Sequence, residues 1–212
     1  MQVDEVVLLG AEDPLSTDVL ETLARSNIKV VSAVLMGPPK WEVAPVSVVL
    51  QHDEVSAMLA KSPAVVGAHA PQARRSVRNV GEAAGFKEFA TIIDPSAVVA
   101  RSSNIAEGVY VNAGAIIAGH TSIADNGLIN RGASLGHHSA MESYAVLGPG
   151  AIVPSNCRIC SGAMLGAGAV LRPDIVVGPG SIVGAGAVVI RNVEANVVVA
   201  GNPARVIGEA PG

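Results

Sequence analysis

Ile159-Cys160-Ser161-Gly162-Ala163-Met164-Leu165-Gly166-Ala167-Gly168-Ala169-Val170-Leu171 is the stretch that decides the fold of this chain. An aliphatic residue returns every sixth position (Ile159, Leu165, Leu171), a glycine stands three residues after it (Gly162, Gly168), and a small residue stands four after it (Ala163, Ala169). The count extends without a break as Ile93, Val99, Ile105, Val111, Ile117, Ile123, Ile129, Leu135, Met141, Leu147, Val153, Ile159, Leu165, Leu171, Val177, Val183 and Val189. If half of all residues were apolar at random, such a run would arise about once in 10⁵ trials. Neither a helix nor an ordinary strand repeats at six, so the period belongs to a stacked repeat. It reads as a prism of short parallel strands, three six-residue faces to a coil. Aliphatics point inward, and Gly, Asn and Asp stand at corners that favour left-handed backbone angles. Residues eighteen apart then sit above one another at about 4.8 Å.

The repeat also accounts for an unusual composition. Of the 212 residues 50% are hydrophobic, yet only 2% are aromatic. An interior so poor in rings must be filled by Val, Ile, Leu and Ala in a narrow, regular packing. The net charge of -4, without a long basic run, gives no electrostatic reason to expect nucleic acid or an anionic membrane surface. Gly and Pro interrupt every apolar run before it reaches the roughly 18 residues of a spanning helix. Acidic residues at Asp4, Glu5, Glu12 and Asp13 do not suit a signal peptide. These features predict a soluble, cytoplasmic protein. Cys157 and Cys160 form a lone C-x-x-C with no second pair; the repeat register assigns them to core filling and predicts no metal site.

Before residue 93 the pattern differs in kind. Val6 to Leu9, Ile28 to Leu35, Val46 to Leu50, Ala64 to Gly67 and Phe89 to Ile93 read as strands. Thr17 to Ala24, Asp53 to Lys61 and Gln72 to Ala84 read as helices, with Ser16 or Thr17 as the cap of the first and a turn at Gly37 to Pro39. Alternating strands and helices predict a small parallel sheet, an α/β N-terminal Rossmann-like domain over residues 1–92. An all-β repeat domain then covers 93–194 and a tail 195–212. In such α/β sheets ligands lie beyond the carboxyl ends of the strands, here near Gly10 and near Gly67 to His69.

The hexapeptide pattern resembles the left-handed parallel β-helix of the hexapeptide acyltransferases, and Gly201-Asn202-Pro203-Ala204-Arg205 is similar to the ending common among them. With the α/β domain in front, joined through Ile93-Asp94-Pro95-Ser96-Ala97-Val98, the chain resembles more narrowly the sialic acid O-acetyltransferases and nucleotide-linked amino-sugar N-acetyltransferases. The resemblance implies a homotrimer that transfers an acetyl group from acetyl-CoA to the amine of a nucleotide-linked sugar in surface-glycan biosynthesis. Two alternatives are O-acetylation of a sialic-acid-type sugar and a non-catalytic trimer that binds a sugar nucleotide.

Acyl transfer needs a base for the nucleophile's proton and a donor for the oxyanion. The family places its base at the His of a Gly-His-acid triplet after an Ile-Asn pair; Ile129-Asn130 and Gly136-His137-His138 match, which implies His137 as base, with His138 in the place of the acid. Ser155, one coil on from His137, corresponds to the main-chain N–H that meets the acetyl carbonyl. Ala167 and Ala185 correspond to the main-chain contacts of the cofactor arm, and Val146 replaces a second cofactor-contacting histidine. Asn130, Gly10, Gly67 and His69 are the expected acceptor contacts. Relatives that bind a uridine nucleotide carry two Asp after the second strand, where this chain has Met36-Gly37, and Glu12 and Asp13 would repel phosphate.

Overall fold

A computed structural model describes residues 3–38 and 48–211. The chain forms two compact units, Met1–Pro95 and Ser96–Gly212.

The first unit holds a parallel sheet of β1 (Glu5–Leu9), β2 (Lys29–Leu35), β3 (Val49–Gln51) and β4 (Ala64–Val66), in the order β3-β2-β1-β4, with helices α1 (Leu15–Arg25) and α2 (Pro71–Ala83). The apolar run at Val6–Leu9 makes β1 an inner strand, with all four side chains fully buried. Burying each contributes about 1.5–3 kcal/mol. α1 buries Leu15, Val19 and Leu23, four residues apart, on one stripe. α2 starts with Pro71 at its first turn and approaches the sheet closely at Gly81, where a Cβ would lie 2.6 Å from Leu9 Cδ1.

Three local expectations change. α1 begins at Leu15, before the expected cap, so neither Ser16 nor Thr17 caps it. Asp13 Oδ1 accepts the Leu15 N–H at 2.9 Å instead, and Ser16 Oγ donates to the Ala11 carbonyl at 3.0 Å. Asp53 to Lys61 is not one helix but two 3₁₀ turns, His52–Glu54 and Leu59–Lys61. The Ser56 hydroxyl accepts the Leu59 N–H and starts the second turn, a local alternative to a helix ladder, and Met58 at 80% exposure supplies no buried stripe. Phe89 to Ile93 is not a continuous strand; Phe89 makes one bridge with Ala64, and only Ile92–Ile93 is extended pairing. Most of the expected turn at Gly37 to Pro39 is described, and the expected strand at Val46 to Leu50 is seen only from Val49; Pro39, Val46 and Ser47 lie outside the described residues.

The second unit is built from two-residue strands in three parallel sheets. One runs Val98–Val99, Ile116–Ile117, Ser134–Leu135, Ile152–Val153, Val170–Leu171 and Val188–Val189. Another runs Asn104–Ile105, Ser122–Ile123, Ala140–Met141, Arg158–Ile159 and Val176–Val177. The third contains Tyr110–Val111, Leu128–Ile129, Val146–Leu147, Met164–Leu165 and Ile182–Val183, then closes in an antiparallel pair, Val197–Gly201 with Ala204–Glu209. Partners are eighteen residues apart, as in Ile123↔Met141 and Leu147↔Leu165, until the last coil, where Ile182 pairs with Val198. The parallel sheets and six-residue repeat fit a left-handed parallel β-helix.

Every sixth-position aliphatic from Val111 to Val189 is at most 2% exposed, and the small column (Ala115, Ala133, Ala145, Ala151, Ala163, Ala169, Ala187) is fully buried. Ile93 breaks the expected inward set. It is 38% exposed, and its two-residue strand is the last in the order of its sheet. At the corners fourteen successive third-position residues, Gly108 to Gly186, have positive φ near +60°. Eight are glycines; the other six include His120, Asn126, His138 and Asn156.

Candidate active site

The six-residue register turns sequence spacing into neighbours. His138 occupies a left-handed corner at φ +60°, with His120 one coil before it at +58°, and Asn156 (+59°) and Asp174 (+63°) after it. This geometry forces consecutive side chains of the column to project outward one above another. The His120 and His138 rings stack with centroids 5.1 Å apart and planes 25° from parallel. His137 meets His138 edge-on at 5.2 Å, with Nδ1 to Nδ1 at 2.9 Å. His120, His137 and His138 are all exposed. Beyond them, Asn156 Nδ2 donates to Asp174 Oδ1 at 3.2 Å.

Ser155, in the next coil, is held against this corner from two sides. Its neighbour Pro154 accepts a hydrogen bond from the buried Ser139 hydroxyl at 2.8 Å, and that hydroxyl accepts the Cys157 N–H at 3.0 Å. The His137 carbonyl accepts the Asn156 N–H at 3.1 Å. Gly136 lets the coils meet: a Cβ there would lie 2.5–2.7 Å from Pro154 C, Pro154 O and Ser155 N. Among the described residues the Ser155 N–H has no hydrogen-bond partner. An exposed imidazole beside an unpaired amide N–H is the pair of functions acyl transfer needs, a base and an oxyanion donor.

A second corner carries Ala167 and Ala185, the residues expected to meet the cofactor arm. Its column reads Asn112, Asn130, Gly148, Gly166, Gly184. Asn112 Nδ2 donates to Asn130 Oδ1 at 2.9 Å, and each Asn Oδ1 accepts the next N–H, of Ala113 and of Arg131, at 2.7 Å. Where glycine replaces asparagine the cap is missing. The N–H groups of Ala167 and Ala185 have no partner among the described residues. A Cβ at Gly166 would lie 2.6 Å from Ala185 N, so the glycines also permit the close stacking. Asn130, expected to touch the acceptor, is 2% exposed and its oxygen is committed to this ladder. Asn112 was not expected from the sequence; its signal was the spacing of eighteen to Asn130.

At the carboxyl end of the first unit's sheet, β1–β4 pairing brings Gly10 and Gly67 together, and the Gly67 N–H donates to the Leu9 carbonyl at 2.8 Å. Both glycines are buried; a Cβ at Gly10 would lie 3.1 Å from Val77 Cγ2, and one at Gly67 3.2 Å from the Gly10 carbonyl. His69 is half-buried, and its N–H donates to Asp13 Oδ2 at 3.1 Å. Glu12 reaches the other way: its Oε2 accepts the Met36 N–H at 3.0 Å. A carboxylate therefore stands at the end of β2 although none follows β2 in sequence, because the β1 loop delivers it.

Cys157 and Cys160 are buried and unbridged, and burial raises both thiols above their ordinary range. No group of three or more His, Cys, Asp or Glu among the described residues could hold a metal ion, and no described helix is long and apolar enough to cross a membrane.

Residues 156–191 match the family model "Bacterial transferase hexapeptide (six repeats)". No curated protein matches the chain by sequence. PerB from Caulobacter crescentus, solved in complex with CoA and GDP-perosamine, is 30% identical with a TM-score of 0.88, over 98% of this chain and 99% of that one. The acetyltransferase domain of PglB from Neisseria gonorrhoeae, in complex with acetyl coenzyme A, is 25% identical with a TM-score of 0.87, over 97% and 100%. WeeI from Acinetobacter baumannii, 24% identical with a TM-score of 0.77 over 97% and 100%, shares the fold. A coil built on a six-residue period, a corner with histidine beside an unpaired N–H, and a 30%-identical relative matched from end to end place this chain in the hexapeptide-repeat acyltransferase family.

Proposed function

We propose that the protein is an acetyl-CoA-dependent N-acetyltransferase whose acceptor is a nucleotide-linked amino sugar. The observation that carries this reading is the corner at His137, where an exposed imidazole stands one coil from the unpaired Ser155 N–H. The ligands of PerB (CoA and GDP-perosamine) and of the PglB domain (acetyl coenzyme A) support it.

His137 Nε2 takes the proton from the neutral amine as nitrogen attacks the thioester carbonyl. The Ser155 N–H receives the developing oxyanion. Removing one oxyanion donor costs roughly 10²–10³ in kcat in acyl transfer generally, and a general base contributes roughly 10²–10⁴. The unpaired N–H groups of Ala167 and Ala185 are the proposed contacts of the pantetheine arm, which presents amide carbonyls to backbone donors. Residues 1–92 serve as a Rossmann-like acceptor-binding module, and Gly10, Gly67 and His69 shape its ligand end. Asn130 acts by building its corner.

A homotrimer fits the exposed aliphatic column Val98, Ile116 and Ile152 on one flat side, at 63%, 51% and 45% exposure. A cytoplasmic location fits donor and acceptor, both soluble metabolites. Release of free CoA thiol from acetyl-CoA, measured with an amino sugar nucleotide and with its hydroxyl analogue, tests the function. Turnover with the amine, lost in His137→Ala, is expected; His137→Ala retaining most of its turnover overturns the assignment of the base.

A further inference from the structure

The contact between His137 and His138 has a chemical requirement. Two imidazole nitrogens 2.9 Å apart share one hydrogen, so one ring donates and the other accepts. If His137 donates through Nδ1, its Nε2 keeps a free lone pair and acts as a base. If His138 donates, the neutral His137 carries its hydrogen on Nε2 and cannot. A carboxylate in the place of His138 could only accept, which would settle the matter by itself. An imidazole can do either, so its ring must be held with the Nδ1 edge towards His137; a half-turn about the Cβ–Cγ bond would put a C–H there.

The group available to hold it is His120, whose ring lies 5.1 Å from that of His138 and 25° from parallel. Two left-handed corners eighteen residues apart fix this stack, and the His120 N–H is itself anchored by the Ser102 hydroxyl at 3.1 Å. Within two coils, the charged residues in the columns of Gly136, His137 and His138 are Arg101, Arg172 and Asp174, each two coils away along its column, and Asp174 is engaged by Asn156.

We propose that His138 replaces the carboxylate as proton-accepting partner of His137 and that His120 is a positioning residue that keeps it in that role. This rests on the acyl-transfer reading. As the C–N bond forms, the amine proton passes to His137 Nε2 and the His137 Nδ1 proton passes to His138 Nδ1, so the positive charge sits on the water-exposed ring. As the C–S bond breaks, the Nε2 proton goes to the leaving sulfur and the Nδ1 proton returns to His137. Protons balance, and nothing outside the two substrates is consumed.

Two-bond ¹⁵N–¹H spectra of the histidines in the full-length protein report the tautomers directly. The expected resting state has hydrogen on Nδ1 of His137 and on Nε2 of His138, and His120→Ala lowers the Nδ1–H population of His137. In kinetics, His120→Ala lowers kcat about 3- to 10-fold, the scale of one lost ring stack. The KM values of both substrates stay unchanged, and His120→Phe, which keeps a stacking ring, restores kcat. His138→Glu, whose carboxylate can only accept, retains turnover. A resting His137 with hydrogen on Nε2, an unaffected His120→Ala, or a His120→Phe as impaired as His120→Ala each overturns the proposal. If no acceptor is ever turned over, the function falls, and the tautomer spectra of wild type and His120→Ala still decide this device.

Discussion

Adding one methyl group at Gly136 is expected to damage the chemistry far more than the fold. In Gly136→Ala the new Cβ would stand 2.5 Å from Pro154 C and 2.7 Å from Ser155 N, against ordinary contact from 3.4 Å. Relief requires a movement of about 0.9 Å, the difference between 3.4 and 2.5 Å. The atoms in the way are main chain and cannot swing aside. Gly136 is not at a positive φ, so backbone strain adds nothing and the effect is pure close approach. Two consequences differ in size. Overpacking costs typically 1–3 kcal/mol, a loss that a stack with its aliphatics at most 2% exposed from Val111 to Val189 should survive folded. Displacing the Ser155 N–H by nearly 1 Å from the developing oxyanion can cost about 10²-fold in rate. The assay pairs thermal unfolding with thiol release at saturating acetyl-CoA. The expected result is a modestly lowered Tm, an intact far-ultraviolet spectrum and kcat down by about two orders of magnitude. Gly208→Ala is the control, since a Cβ there meets nothing within 4 Å and φ is not positive. A Gly136→Ala enzyme with wild-type kcat would refute the reasoning, because the coils would then have absorbed the methyl without moving the N–H or the N–H would have no catalytic part.

Glu12→Gln keeps an oxygen for the Met36 N–H while removing a charge. At ~8 Å in water each phosphate charge is repelled by about 0.5 kcal/mol. KM for a nucleotide-linked acceptor should therefore fall about 2-fold or a little more, with KM for acetyl-CoA unchanged; a rise in acceptor KM would mean that the carboxylate binds the acceptor. Burial holds the Cys157 and Cys160 thiols protonated, so a thiol reagent should label neither at neutral pH within minutes and both in denaturant; fast native labelling would contradict their place in the core. For Glu142, burial pushes its pKa up, but the Arg158 hydrogen bond and charge and the Ser161 N–H outweigh it and hold the group below its ordinary range. A depressed folded pKa stabilises above the unfolded value and is lost as pH falls through the folded one. The Tm difference between wild type and Glu142→Gln should thus be present near neutrality and shrink on acidification; a difference constant with pH would exclude the ion pair as its source.

Much of the repeat unit was legible because its physics is one-dimensional. Strand partners are eighteen residues apart, so reading every sixth residue already yields the core, the small column and the corners, and with them the neighbours of His137. Ile93 shows the limit: it satisfies the period yet is 38% exposed, because periodicity carries no information about which strand ends a sheet. In the first unit neighbours come from different parts of the chain. The sequence around Asp53 to Lys61 has helix formers, yet Ser56 and an exposed Met58 break it into turns.

Period, composition and spacing alone determined a six-residue prism, a core of Val, Ile, Leu and Ala without rings, and a histidine pair at a corner. Only the tertiary structure decided what those corners do. It showed that His120 stacks on His138, that Asn112 and Asn130 consume two N–H groups while Gly148, Gly166 and Gly184 leave their corner uncapped, and that Glu12 crosses to the end of β2. The reason is physical: a repeat fixes which backbones lie side by side. Hydrogen-bond partners and ring contacts depend on side-chain directions that become definite only when the coils are stacked.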